Sequence, residues 1–151
     1  MADLRRSEAG FSAPIMVLIM AMMVLFIGGI SIDLWRVIAD HREVSGLADG
    51  AAIAGATAVD IAAFEADPTA NPILNPGLAT QRACQYMEDH AGVTACPSAT
   101  LTVDFAPDLT AIEVGFQREV ELTFLRIVEV GGAEPIVVFS DALVELQRGT
   151  P

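Results

Sequence analysis

An uncharged run of twenty-two residues, positions 11–32, constrains this chain more than any other feature; it reads FSAPIMVLIMAMMVLFIGGISI. At the helical rise such a run extends about 33 Å, and the hydrocarbon core of a bilayer is about 30 Å thick. The run predicts a membrane-crossing helix. Pro14 falls in the first turn, where its missing N–H costs little. Gly28 and Gly29 stand near the far end, where a bend or a close helix contact is tolerated in a membrane. No proline follows until Pro68. The helix is therefore expected to continue into water over residues 33–63, with residues 1–10 as a short, unstructured polar tail.

Charge gives the orientation. The chain has no Lys, and all eight of its basic residues are Arg. Arg5 and Arg6 precede the run, while the net charge of −12 lies after it. Short basic flanks stay cytoplasmic, so the N-terminus is expected inside and residues 33–151 outside. The acidic balance excludes the basic stripe that nucleic-acid binding needs. The competing reading, a cleaved secretory signal, fits less well. Its apolar region is shorter and ends in small residues, whereas Asp33, Trp35 and Arg36 follow here. Trp35 suits an interfacial aromatic, and Asp33, Arg36 and Asp40 are at helical pairing distances. Asp33 marks the helix depth or docks a partner helix. Outside the cytoplasm Cys84 and Cys96, the only two cysteines, can close a short disulfide loop. Two free buried thiols are the alternative.

Residues 44–58 are unusually small. Gly46, Gly50, Ala54 and Ala58 recur every four residues and read as one helix face that lets another backbone approach. That backbone is either the chain's own domain or another subunit. Three prolines in residues 64–77 mark a surface loop. A second helix is expected over residues 78–90, with Ala79, Ala83, Tyr86 and Met87 on its apolar side and Gly92 as its cap. Residues 100–105 and 111–116 alternate as strands do and form a hairpin across Ala106-Pro107-Asp108, which residues 119–121 extend or leave. Residues 123–130 suit either a helix or a strand. Gly131-Gly132 is a turn, and residues 135–146 read as a last strand. The fold class is α+β, a long membrane helix leading into a small domain of a second helix and an antiparallel sheet over residues 64–151.

No catalytic constellation emerges. His41 reads as an exposed helix residue and His90 as a helix-end residue suited to the dipole. Cys84, His90 and Cys96 are zinc-ligand types at a spacing that matches no familiar zinc pattern. Glu119 with Glu121, and Glu88 with Asp89, are paired carboxylates lacking a base or nucleophile, and read as solvated surface. Ser140-Asp141 has no histidine partner. The expectation is a protein without metal, cofactor or small-molecule substrate, and not an enzyme.

Two elements after the apolar run carry a resemblance. Asp33-Leu34-Trp35-Arg36 is followed by Val44-Ser45-Gly46-Leu47-Ala48-Asp49-Gly50-Ala51-Ala52-Ile53-Ala54-Gly55-Ala56. Together they resemble the "DLGR" and "LQNAADAAALAGA"-type elements of TadE/TadG-like proteins of the tight-adherence (Tad, or Flp) pilus system, in register after a membrane span. Asp33, Arg36, Asp49, Ala51, Ala52, Ala54 and Gly55 are the residues that match. Residues 78–92 also resemble the family's second helix. The chain is too short for the von Willebrand A-like domain of larger relatives and has no Asp-x-Ser-x-Ser motif. Gly10-Phe11 resembles a pseudopilin processing junction, yet the fifth residue after it is Ile15 where processed pseudopilins carry Glu.

The resemblance implies a pilin-like fold. It implies a structural role, that of a minor pseudopilin-type component that helps initiate, assemble or anchor a pilus. Partners would be other pilin-like or Tad assembly proteins, the chain itself included, and the location the bacterial inner membrane with the domain in the periplasm. A second function class stands beside it: a membrane-tethered periplasmic binding or sensing domain unrelated to pili.

Overall fold

A computed structural model describes residues 4–123 and 135–146, with side chains from residue 13 onward. The elements run α1 (Leu4–Ala56), α2 (Ile61–Ala66), α3 (Pro76–Ala91), β1 (Leu101–Phe105), β2 (Ala111–Val120) and β3 (Ile136–Glu145). The class is α+β, as the sequence predicts. The chain divides into two compact units, one of Met1–Val37 with Glu121–Pro135 and one of Ile38–Val120 with Ile136–Pro151.

In the first unit α1 begins at Leu4, so residues 4–10 are helical where an unstructured tail is expected. Apolar side chains then stand exposed all around it; Leu25 is 74% and Val24 69% exposed. Each such side chain left in water forgoes about 1.5–3 kcal/mol of burial. Hydrocarbon is the solvent that suits them, and α1 is long and apolar enough to cross a membrane.

In the second unit α1 changes character. Val44, Ala48, Ala51 and Ala52 are fully buried, and Gly55 is buried with them. Their spacing of three and four residues draws one stripe along the helix. Met87, Ala79 and Ala83 of α3 and Leu101, Ile112, Val114 and Phe116 of the sheet are buried too. The helix stops at Ala56, short of the expected residue 63. Thr57 Oγ1 donates back to the Ala54 carbonyl (2.7 Å), and Asn75 N donates to the Ala58 carbonyl (2.8 Å). Val59 bridges Leu74, and Asp60 N reaches the Ile73 carbonyl (2.8 Å). The backbone groups that would continue α1 are thus taken by residues 73–75. Asp60 then caps α2 by accepting the Ala63 N–H (3.1 Å). This short helix stands where the continuation of α1 and the start of a loop are expected.

α3 is fixed at both ends by its sequence. Asn75 Oδ1 accepts the Leu78 N–H (3.1 Å), Pro76 opens the helix, and Gly92 closes it in the left-handed region (φ 67°). The sheet order is β1-β2-β3, antiparallel throughout. The predicted hairpin is present and β2 runs on to Val120. Within the β1–β2 turn Leu109 has φ 59°, held where its carbonyl accepts the Leu74 N–H (2.8 Å). β3 falls on the predicted last strand. The readings for residues 124–130 and for Gly131-Gly132 lie outside the described residues.

Candidate functional site

The features with functional promise lie along α1. Asp33, just past the apolar run, is fully buried. A buried carboxylate must be hydrogen-bonded to persist. Asp33 Oδ1 accepts the Thr123 N–H at 3.2 Å. One turn on, Arg36 Nη1 donates to the Thr123 hydroxyl at 2.8 Å. The two charged residues of the Asp33–Arg36 element therefore hold one residue of the segment that follows β2. The sequence gives no local sign of Thr123, some ninety residues away. Trp35 between them is 68% exposed.

The small-residue region divides into two faces. The packed one is the Val44–Ala48–Ala51–Ala52–Gly55 stripe. Ile112 Cδ1 fills the space where a Cβ at Gly55 would stand, and the Ala79 carbonyl lies 3.2 Å from it. Beside the stripe, Ser45 and Ser140 hydroxyls meet at 3.0 Å and Arg118 pairs with Glu43 at 3.0 Å. The expected face of Gly46, Gly50, Ala54 and Ala58 does not pack as one surface. Gly50 lies under the Tyr86 ring, Ala54 is half-buried, and Ala58 is buried but beyond the end of the helix. Gly46 is exposed with nothing within 4 Å of its missing Cβ. Asp49 is exposed as well, so the residues that match the pilus family fall partly on the packed stripe and partly on open surface. Ile38, Gly46 and Ile53 continue that open surface; Ile38 is 41% and Ile53 59% exposed. Gly10 and Phe11 lie within α1.

Cys84 and Cys96 are joined, their Cα atoms 5.5 Å apart. Their sulfurs are thus committed to each other and not to a metal. His90 stacks on Tyr86 with ring centres 4.1 Å apart and its Nδ1 lies 3.0 Å from the Tyr86 carbonyl oxygen. Among the described residues no three His, Cys, Asp or Glu side chains converge as metal ligands. An open groove of about 690 Å³ runs beside the disulfide, lined by Gln81, Gln85, Glu88, Asp89 and Thr94 among others.

Together these features define a class: an α+β protein with an apolar helix long enough to cross a membrane and a small, disulfide-closed domain. Residues 10–58 match the protein family described as "Putative Flp pilus-assembly TadE/G-like", and the chain is TadE/TadG-like over that segment. The match spans nearly all of α1, including the Asp33–Arg36 element and the packed stripe. No curated protein and no solved structure matches the chain. The match over residues 10–58 supports a pilus-related role.

Proposed function

We propose that this chain is a membrane-anchored, pilin-like component of Tad/Flp pilus assembly, a minor pseudopilin-type subunit that helps initiate, assemble or anchor the filament. The family match on α1 carries this reading. In it the anchor crosses the bacterial inner membrane with the N-terminus in the cytoplasm and residues 33–151 in the periplasm. The Arg5-Arg6 pair and the Cys84–Cys96 disulfide support that orientation, since short basic flanks stay inside and disulfides persist in oxidising compartments. The mechanism is mechanical. The packed stripe fixes α1 to its own domain, and the open side of α1 at Ile38, Gly46 and Ile53 is left to meet a helix of a pilin-like neighbour, the chain itself included. An uncleaved anchor agrees with Ile15 in place of a Glu.

The test is a count of surface pili by electron microscopy in a deletion strain carrying the wild-type chain or Gly46→Leu. Gly46 has open space around it, so Gly46→Leu leaves the fold intact and is expected not to restore pili. Pili unchanged by the deletion would move the reading to a membrane-tethered periplasmic binding domain, with the groove beside α3 as its natural site.

A further inference from the structure

The sheet has one face turned to the core and one turned to solvent. On the core side lie Ile112, Val114 and Phe116 of β2, paired with Val144, Ala142 and Ser140 of β3. The opposite face is polar along β1 and β2, as an antiparallel sheet normally is toward water, but not along β3. β3 exposes Val137 (53%), Phe139 (55%) and Leu143 (62%) on that side. They alternate with the core-facing residues and so share one side of the strand, with Asp141 between Phe139 and Leu143. Phe139 is seated by its neighbour. A Cβ on Gly115 would lie 3.4 Å from Phe139 Cε2 and 2.6 Å from Thr102 Oγ1, so the missing side chain makes room for the ring. The ring is positioned on the face and still more than half exposed.

Charge on the same face is of one sign. Asp104 pairs with Glu113, Glu113 with Leu143, Glu119 with Val137, and Gly115 with Asp141. All four carboxylates are exposed. Among the described residues of this face no Arg is present, and the chain has no Lys. A second copy brought to the face through the same surface would set like charges against each other, which costs several kcal/mol. Anionic lipid is repelled in the same way. Apolar side chains rimmed by carboxylates complement a surface that alternates apolar and cationic groups.

We propose that the solvent face of the β1-β2-β3 sheet, centred on Phe139 and Leu143, docks a cationic, apolar segment of a different protein. The surface is derived from exposure and charge alone and stands whether or not the chain serves a pilus. Phe139 and Leu143 supply the buried anchor, and Glu113, Glu119 and Asp141 supply register and association rate.

The test places a photo-crosslinking amino acid at position 143 of the full-length chain in its native membrane, and sequences the adduct. The expected adduct is a peptide of another protein bearing Arg or Lys among apolar residues. Its yield should fall about tenfold in Phe139→Ser, as for loss of a central anchor, and several-fold in Glu113→Gln/Glu119→Gln. Glu65→Gln, which removes a carboxylate elsewhere, should leave it unchanged. A purified full-length chain in neutral detergent, titrated with a synthetic peptide alternating Arg and Val, should show the same order of variants and weaker binding at high salt. An adduct with the chain itself, with lipid or with an acidic peptide overturns the proposal. So does no adduct, or a yield that the Phe139 and Glu variants do not change. Retention of the Cys84–Cys96 disulfide in each variant, read by thiol labelling, shows that the domain is folded.

Discussion

The Tyr86 ring lies against the backbone of α1 at Gly50, so close that a Cβ there would stand 2.6 Å from Tyr86 Cε1 and nearer still to the ring's far edge. Four residues earlier, Gly46 meets nothing within 4 Å. Two glycines of one helix thus carry opposite expectations. Gly50→Leu overpacks the contact and is expected to cost about 1–3 kcal/mol. Gly46→Ala relieves a backbone entropy penalty and should gain about 0.5–1 kcal/mol. Thermal unfolding of the purified chain in detergent measures both. Gly50→Ala should cost less in a Tyr86→Ala background than in the wild-type chain, because the two residues touch.

That pair also shows where a sequence reading stops. The four-residue recurrence of Gly46, Gly50, Ala54 and Ala58 suggests one face. A strict four-residue step drifts about 40° around a helix at each interval, so the set winds away from any flat surface. The stripe that packs mixes steps of three and four, through Val44, Ala48, Ala51, Ala52 and Gly55. The apolar run, the second helix with its Gly92 cap and the β1–β2 hairpin were legible because each signal is local. The end of α1 was not. Thr57, Ala58 and Val59 carry no stop signal, and the helix ends because residues 73–75 take its backbone groups. The α2 start had a readable cue in Asp60. Thr123 as the partner of Asp33 and Arg36 had none, since the contact joins segments some ninety residues apart.

The disulfide should add measurably to the stability of the unit that holds α3 and the sheet. It closes a loop between residues 12 apart in sequence, and a loop of that order is worth about 3 kcal/mol in the chain-entropy account. Cys84→Ala/Cys96→Ala should unfold at lower denaturant than wild type by that amount. The single variant Cys84→Ala should match the double if the bond, rather than either side chain's packing, carries the effect. Denaturant midpoints of the three proteins decide it.

Asp108 gives a pH signature in the β1–β2 turn. Its carboxylate accepts the Thr110 hydroxyl at 2.8 Å and the Thr110 N–H at 3.3 Å. The Thr110 side-chain bond first, and its backbone bond second, hold the Asp108 pKa below the ordinary 3.8. The charged form is therefore favoured in the folded chain. The stability this adds is present above 3.8 and is lost as pH falls through the folded value. Asp108 is fully exposed, so the effect on global stability is small. Carboxyl NMR titration should place its inflection below 3.8 in wild type and shift it upward in Thr110→Val, which removes the larger cause. Coincident inflections in the two proteins would falsify the assignment.

Asp33 should govern the segment after β2 more than it governs the helix that carries it. Its carboxylate is buried and accepts the Thr123 N–H, while Arg36 binds the same residue's hydroxyl. A hydrogen bond to a charged group is worth about 1.5–3 kcal/mol, and 1.4 kcal/mol is a factor of ten. Asp33→Asn keeps the shape and an acceptor oxygen but replaces the carboxyl group with an amide. It should speed hydrogen exchange at the Thr123 amide several-fold, and Asp33→Ala at least tenfold. Arg36→Gln should do less, because Thr123 is exposed and water replaces the lost partner of its hydroxyl. Amides of α3, which lie in the other compact unit, should keep their wild-type exchange in all three. Uniform acceleration across both units would mean that Asp33 supports the fold at large. Acceleration confined to Thr123 and its neighbours would make the Asp33–Arg36 element a local clamp.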